Sequence, residues 1–326
     1  MKRIISLFII LSMLCCFASC KKDEDKNKPT TEKTTQTTTE KSTTEKSEFT
    51  TQTPEPVIGQ PSTDTLRPGK TYTGRKPLKE VQMAVSDPDN TKGLNTVGHG
   101  YGYGVSTGAK PNQQSVNNQK IFDPFGALAL DQKSKEKVLY LTFDCGYENG
   151  CTAKILDVLK EEKVPAAFFV TLPYLKDNLG QKMAVRMIKE GHIVGNHSTT
   201  HPVFPKISRT QMAKEIECCD NYLRTKFGYT SPFFRFPTGE YSDCSLELVQ
   251  SLGYTSVFWS VAYLDYDTKN QPSDEKAFQT ITSRLHPGAV ILLHAVSSAN
   301  ANVLGDVIQW ARGQGYTFVP LTDYIS

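Results

Sequence analysis

Two of the six histidines stand four residues apart, in His197-Ser198-Thr199-Thr200-His201. On a helix or in a tight loop that spacing brings two imidazoles to one metal ion, although the same pair can be two ordinary surface histidines. Two further ionisable residues close apolar runs. Asp144 follows Leu139-Tyr140-Leu141-Thr142-Phe143, and His294 follows Val290-Ile291-Leu292-Leu293. A carboxylate at the end of a buried strand is costly unless it is paired, and Arg235, inside Phe233-Phe234-Arg235-Phe236, is the natural partner. A histidine at such a place is either a satisfied core residue or a group presented for proton transfer. Cys145, directly after Asp144, either adds a thiolate to the histidines, a donor set that suits zinc, or turns inward as a small core residue.

Short apolar runs alternate with helical patterns from Lys137 onward, the signature of βα units and a parallel sheet. Strands are predicted at 138–143, 166–171, 192–196, 233–236, 255–260, 289–293 and 316–319. Met212, Ile216, Cys219, Leu223 and Phe227 recur at steps of three or four, one face of a helix. Ser208 with Gln211 is suited to cap its start, and Gly228 to stop its end. Seven strands paired with helices predict an α/β fold, a distorted or incomplete (β/α) barrel of about seven parallel strands. In such folds the site lies at the C-terminal edge of the strands. Asp144, Cys145, His197, His201, the stretch from Arg235 to Glu240, Asp265 and His294 all fall at or just past such ends. Segments far apart in sequence thus deliver ionisable groups to one rim.

The rest of the 326-residue chain is of another kind. Lys2 and Arg3 precede an apolar stretch from Ile4 to Phe17 and then Ala18-Ser19-Cys20, the order of an export signal. Small residues before a cysteine resemble a bacterial lipobox, so residues 1–20 are expected to direct export, with a lipid on Cys20 as the membrane anchor; plain cleavage and secretion is the alternative. Residues 21–56 hold 12 threonines and Phe49 as their one strongly apolar residue, too little to repay the entropy of ordering, and read as a flexible tether. Residues 57–136, rich in Gly, Pro, Asn and Asp, read as an irregular arm whose aromatics dock on a neighbour, ahead of one regular domain expected at 137–326. No apolar run is long enough to span a bilayer. A formal charge of +3 is too small for a dedicated nucleic-acid binder. Beyond the signal and Cys20 five cysteines remain, an odd number that argues against a complete disulfide framework. No protein partner is implied.

Leu141-Thr142-Phe143-Asp144-Cys145-Gly146 resembles the first motif of the polysaccharide deacetylases, the NodB-homology group of carbohydrate esterases. His197-Ser198-Thr199-Thr200-His201 resembles their second motif, Arg235-Phe236-Pro237-Thr238-Gly239 the third, Phe258-Trp259-Ser260 through Asp265 the fourth, and Leu292-Leu293-His294 the fifth. Tyr147-Glu148-Asn149-Gly150 and His286-Pro287-Gly288-Ala289 are similar to strings of the delta-lactam-biosynthetic de-N-acetylases, the subgroup that acts on muramic acid in peptidoglycan. The resemblance implies a hydrolase that removes N-acetyl groups from peptidoglycan amino sugars, N-acetylmuramic acid first, with the help of a divalent metal, zinc being the expected ion; the alternatives are an N-acetylglucosamine deacetylase or acetyl esterase on another glycan, or a cell-wall-binding pseudoenzyme. It implies Asp144 as general base, Arg235 as its orienting partner, His294 as general acid and Asp265 as the group that biases His294. It further implies His197 and His201 as metal ligands, an oxyanion site near Thr238, and sugar contacts from Pro237, Thr238, Gly239, Trp259 and Tyr266. The sequence departs from the wider family in carrying Cys145 where a second Asp ligand is usual, and Tyr266 where a Trp is usual.

Overall fold

The computed structural model describes Gly74 and residues 80–325. The export signal, Cys20 and the tether lie outside the described residues. Seven strands form one sheet: β1 (Val138–Cys145), β2 (Ala167–Val170), β3 (Ile193–Asn196), β4 (Phe233–Phe234), β5 (Thr255–Ser256), β6 (Ala289–His294) and β7 (Thr317–Phe318). All pairings between them are parallel, in the order β5-β4-β3-β2-β1-β6, with β7 joining β1 at Val138 and Leu139. The predicted strands are all present. The fourth, fifth and seventh are shorter than their apolar runs; past β5, Val257 bridges to Leu128 instead.

The helices are α1 (Gln113–Phe122), α2 (Cys151–Glu161), α3 (Leu172–Lys176), α4 (Asn178–Lys189), α5 (Arg209–Phe227), α6 (Asp243–Ser251), α7 (Asp274–Arg284), α8 (Ser298–Gly313) and α9 (Thr322–Ile325). The ends of α5 follow the local code. The Ser208 hydroxyl accepts from the Gln211 N–H, and Gly228 takes the left-handed conformation (φ 60°) that ends the helix. Its apolar stripe is buried, with Ile216, Cys219 and Phe227 fully covered.

Period-two alternation along β1 sorts its side chains between two cores. Leu139, Leu141, Phe143 and Cys145 join the layer under α2, α4 and α8, whereas Val138 and Tyr140 join the barrel interior with Phe169, Phe233 and Val290. Thr142 and Asp144 share the parity of the interior set.

The packing does not begin at Lys137. Residues 127–131, placed by sequence in the arm, fill the gap between the ends of the sheet. Leu128 bridges to Val257 and Leu130 to Ala289, and Val261 bridges onward to Ile291. The wedge is held by Gln119 of α1, 2% exposed. Its Oε1 accepts from the Ala129 and Leu130 N–H groups at 2.7 and 2.9 Å, and its amide donates to the Ala127 carbonyl. Four buried residues in a row, Ala127 to Leu130, carry no alternation that would announce a strand, and the face that α1 buries is Ser115, Gln119 and Phe122. A largely polar buried face gives no hydrophobic period, which is why the sequence reading found no helix there.

Candidate active site

Asp144 ends β1 and His294 ends β6, and the two are register partners across neighbouring strands. His197 follows β3, and Arg235 follows β4. The buried guanidinium of Arg235 spends four donor bonds on its surroundings. Nη1 donates to Asp144 Oδ1 at 2.8 Å, Nη2 to Thr142 Oγ1 at 2.8 Å and to the Phe258 carbonyl, and Nε to the Val257 carbonyl at 2.9 Å. The fork lies over the Phe169 ring, 4.2 Å from its centroid, so it cannot swing away. Burial alone would raise the Asp144 carboxyl, but the charge of Arg235, joined by those of His197 and His294 wherever these are protonated, outweighs it and holds the group below the usual carboxylate range. At neutral pH Asp144 is an ionised acceptor.

His294 is the opposite case. Its Nδ1 faces Asp265 Oδ1 at 2.7 Å, and its backbone N–H donates to Asp265 Oδ2 at 2.8 Å. Burial pulls its pKa down, yet the bond to Asp265 and that carboxylate's charge overcome burial and raise it. Asp265 is itself 1% exposed, and Asn300 of α8 donates to its Oδ2 at 2.6 Å. The pair of environments therefore drives Asp144 toward the base form and His294 toward the acid form, the separation that acid–base work requires.

The His197–His201 segment is a tight loop, with Ser198 (φ 72°) and His201 (φ 59°) both left-handed. Non-glycine residues in that region need support from elsewhere. Glu215 of α5 provides it: its carboxylate accepts from the Thr199 and Thr200 N–H groups and from the Thr200 hydroxyl. Ser198 Oγ accepts from the His201 N–H at 3.0 Å, and Asn196 Oδ1 from the Ser198 N–H at 2.9 Å. The two imidazoles end 5.0 Å apart between centroids, edge to face.

A cleft of about 1060 Å³ opens over these groups, lined by Asp144, His197, His201 and His294. Thr238, Gly239, Trp259 and Tyr266 also line it. Pro237, expected among the sugar contacts, does not; it is buried beneath the turn. Thr238 projects from a left-handed backbone (φ 59°). A side chain on Gly239 would put its Cβ 2.8 Å from the Trp259 ring, so only glycine lets that indole lie against the turn. Tyr266, 56% exposed, meets His294 edge to face at 5.5 Å, an apolar wall beside the acid. The arm contributes too: Tyr103 lines the cleft and donates its hydroxyl to the Ala262 carbonyl, while Tyr101 packs on Trp259.

The pattern of a polysaccharide deacetylase matches residues 131–257. The peptidoglycan-N-acetylmuramic acid deacetylase PdaA of Bacillus subtilis is 38% identical over 224 residues, 68% of this chain and 84% of that protein. This chain belongs to the polysaccharide deacetylase family. The solved structure of Bacillus subtilis PdaA, a family 4 carbohydrate esterase, superposes with a TM-score of 0.68 at 36% identity, covering 71% of this chain and 98% of that one. A family 4 carbohydrate esterase from Bacillus anthracis superposes with a TM-score of 0.59, also at 36% identity, over 71% and 98%.

In this polysaccharide deacetylase the structure corrects the expected role of Cys145. Its side chain is fully buried in the layer under the helices, opposite in parity to Asp144 along β1, and it is absent from the cleft lining. Adjacent strand residues point to opposite faces, so Asp144 in the cleft forces Cys145 out of it. Burial, ahead of the nearby Asp144 and Glu148 charges, pushes its thiol well above the ordinary range, the reverse of what a thiolate ligand needs. Cys145→Ser is expected to leave zinc retention under chelator dialysis unchanged, and to lower the unfolding free energy measured in urea by roughly 1–3 kcal/mol, the cost of an unpaired buried hydroxyl. Zinc loss from that variant would return Cys145 to the ligand set. All five cysteines of the described residues are free thiols.

Among the described residues no group of three or more His, Cys, Asp or Glu is arranged to hold a metal ion. The two histidines themselves fit one. His197 Nδ1 lies 2.9 Å from the Arg235 carbonyl, which can only accept, so Nδ1 carries the hydrogen and the Nε2 lone pair is free. Burial, ahead of the pull of Asp144, takes this imidazole down to about 4, and burial lowers His201 as well, so both are neutral donors. His197 Nε2 faces Asp144 Oδ2 at 3.5 Å. Two lone pairs facing each other repel unless a cation sits beside them, and a divalent ion on two imidazoles meets that need.

Glu215, Asn300 and Thr142 escaped the sequence reading. Each bonds a group far away in sequence or across the sheet, and nothing local marks that role. Asn300 falls inside an ordinary amphipathic helix, and Glu215 looks like one more charge on the polar face of α5.

Proposed function

We propose that this chain hydrolyses the N-acetyl group of an amino sugar of peptidoglycan, N-acetylmuramic acid, working outside the cell and tethered to the membrane by a lipid on Cys20. The single observation that carries the chemistry is that Asp144 and His294, register partners on neighbouring strands, face one cleft, in surroundings that hold the carboxyl down and the imidazole up. Lys2-Arg3, the apolar stretch to Phe17 and Ala18-Ser19-Cys20 support the export and anchoring.

Amide hydrolysis needs a base for the attacking water and an acid for the departing nitrogen. Asp144 accepts a proton from the water whose oxygen bonds to the acetyl carbon. The carbon–nitrogen bond then breaks as His294 delivers its Nε2 proton to the sugar nitrogen, giving acetate and a free amine. Arg235 holds Asp144 in place through this transfer, and Asp265 fixes the imidazole so that Nε2 is the atom that gives. A divalent ion on His197 and His201 supplies Lewis-acid polarisation of a carbonyl and eases deprotonation of water. Trp259 and Tyr266 offer apolar faces to a pyranose ring.

Treating purified peptidoglycan with the chain and reading its fragments by mass spectrometry tests the reaction. Loss of acetyl groups from muramic acid is expected. Loss only from the glucosamine residues would move the substrate to the other sugar, and fragments unchanged after treatment would overturn the proposal.

A further inference from the structure

The cleft has a polar wall that none of the chemistry above uses. Lys276, Thr280 and Arg284 line it, all from α7 and spaced four residues apart, so they share one helix face. Eight residues at 1.5 Å each set the two cations about 12 Å apart along the helix. Arg284 is half-buried, and its Nη1 donates to the Ala262 carbonyl, the same oxygen that takes the Tyr103 hydroxyl. The guanidinium is therefore anchored against the wall while its other N–H groups carry no bond among the described residues. Lys276 is exposed. Neither cation forms an ion pair with a described acidic residue. Among the described residues Asp144 is the one acid in the cleft lining, and Arg235 already meets its charge. Asp274 and Glu275, the acids beside Lys276 on α7, accept from Asn302 and Gln279 and do not line the cleft, and Asp265 is spent on His294 and Asn300.

We infer that this face of α7 is a carboxylate-recognition subsite, which gives the enzyme preference for an acidic amino sugar over a neutral one. The inference rests on the proposed deacetylase activity and deepens it. A guanidinium with free, pre-positioned N–H groups binds a carboxylate through a fork, a lysine adds a point charge, and the Thr280 hydroxyl can donate between them. Neutral chito-oligosaccharides offer nothing to these groups. A glycan strand of peptidoglycan offers two carboxylate sources, the lactyl group on the muramic sugar and the termini of the stem peptide. The lactyl group is attached to the sugar being turned over, so the subsite selects the sugar directly.

The test compares binding by calorimetry and acetate release for four glycans: peptide-free strands with a free lactyl carboxylate, the same strands with that carboxylate converted to its methylamide, strands bearing stem peptides, and chito-oligosaccharides. Wild type is expected to bind the free-lactyl strands at least ten-fold more tightly than the methylamide. Arg284→Gln and Lys276→Gln together are expected to remove that difference, and Arg284→Glu to reverse it, with far-UV circular dichroism unchanged. Chito-oligosaccharide binding should be the same in all variants. Wild type that binds the free carboxylate and its methylamide equally overturns the subsite, as does equal weakening on every glycan in the variants. A preference seen only with stem peptides present would also overturn it, by moving the carboxylate to the peptide. Absence of acetate release with the ten-fold binding preference intact would sink the deacetylase reading and leave the subsite standing.

Discussion

Asp144→Asn is expected to lower acetyl release by about 10²–10⁴-fold, the contribution of a positioned general base, with substrate binding little changed. The amide keeps an oxygen for the Arg235 Nη1 bond but cannot take a proton from water. Stability should fall as well. Arg235 is completely buried, and removing the partner charge leaves a guanidinium with no counter-charge, a loss of about 3–5 kcal/mol in such pairs, toward the lower end here because the hydrogen bonds to Thr142 and the Val257 and Phe258 carbonyls remain. Initial rates and urea unfolding measure the two effects separately. A variant with near wild-type turnover would remove Asp144 from the chemistry; one with wild-type stability would mean that the buried guanidinium does not need its counter-charge.

The second large effect is expected at Asp265, which never reaches the cleft and acts through His294. Asp265→Asn removes the charge that lifts the His294 pKa while keeping a side chain of the same shape for Asn300. His294 must carry its proton to act as acid, so activity is lost as pH rises through its pKa. With that value lowered, the alkaline limb of the kcat/KM profile should move to lower pH, and the rate at neutral pH should fall by about 10²-fold or more. The stability sign follows from the same shift. A histidine raised in the folded state stabilises below its unfolded pKa, and that stabilisation is lost as pH rises through the folded value. Wild type should therefore lose a part of its stability on the alkaline side of that window that the variant does not have to lose. A pH profile whose alkaline limb stays in place, with only the plateau reduced, would mean that Asp265 orients His294 without tuning its proton.

Much of the architecture was legible in the chain because its signals are local. Gly228, with φ 60°, marked where one helix stops ahead of the next strand. The helix from Arg209 to Phe227 could be drawn from its cap, its stripe and its terminal glycine. Asp144, His197, Arg235 and His294 stood out because each is a charged or polar residue at the end of an apolar run, and a parallel α/β sheet sends all such ends to one edge.

Only the tertiary structure decided what depends on direction or on distance. Cys145 and Asp144 are neighbours in sequence, and strand alternation sends them to opposite faces; which of the two faces the cleft depends on the pairing of β1 with β2 and β6, which sequence spacing does not contain. The wedge of residues 127–131 closes the barrel through bonds of Leu128 to Ser256 and Phe258 and of Asp131 to Gly288 that span more than a hundred residues, and its anchor Gln119 is polar, so no hydrophobic period announced it. Glu215 steadies a histidine loop sixteen residues before it, and Asn300 holds a carboxylate thirty-five residues before it. The row of Lys276, Thr280 and Arg284 is visible as a four-residue spacing, but a charged row is usually a solvated face; the packing of α7 turned it toward the cleft. Residue types and run ends carry chemistry into a sequence, whereas the partner that orients each group is chosen by the fold that brings it there.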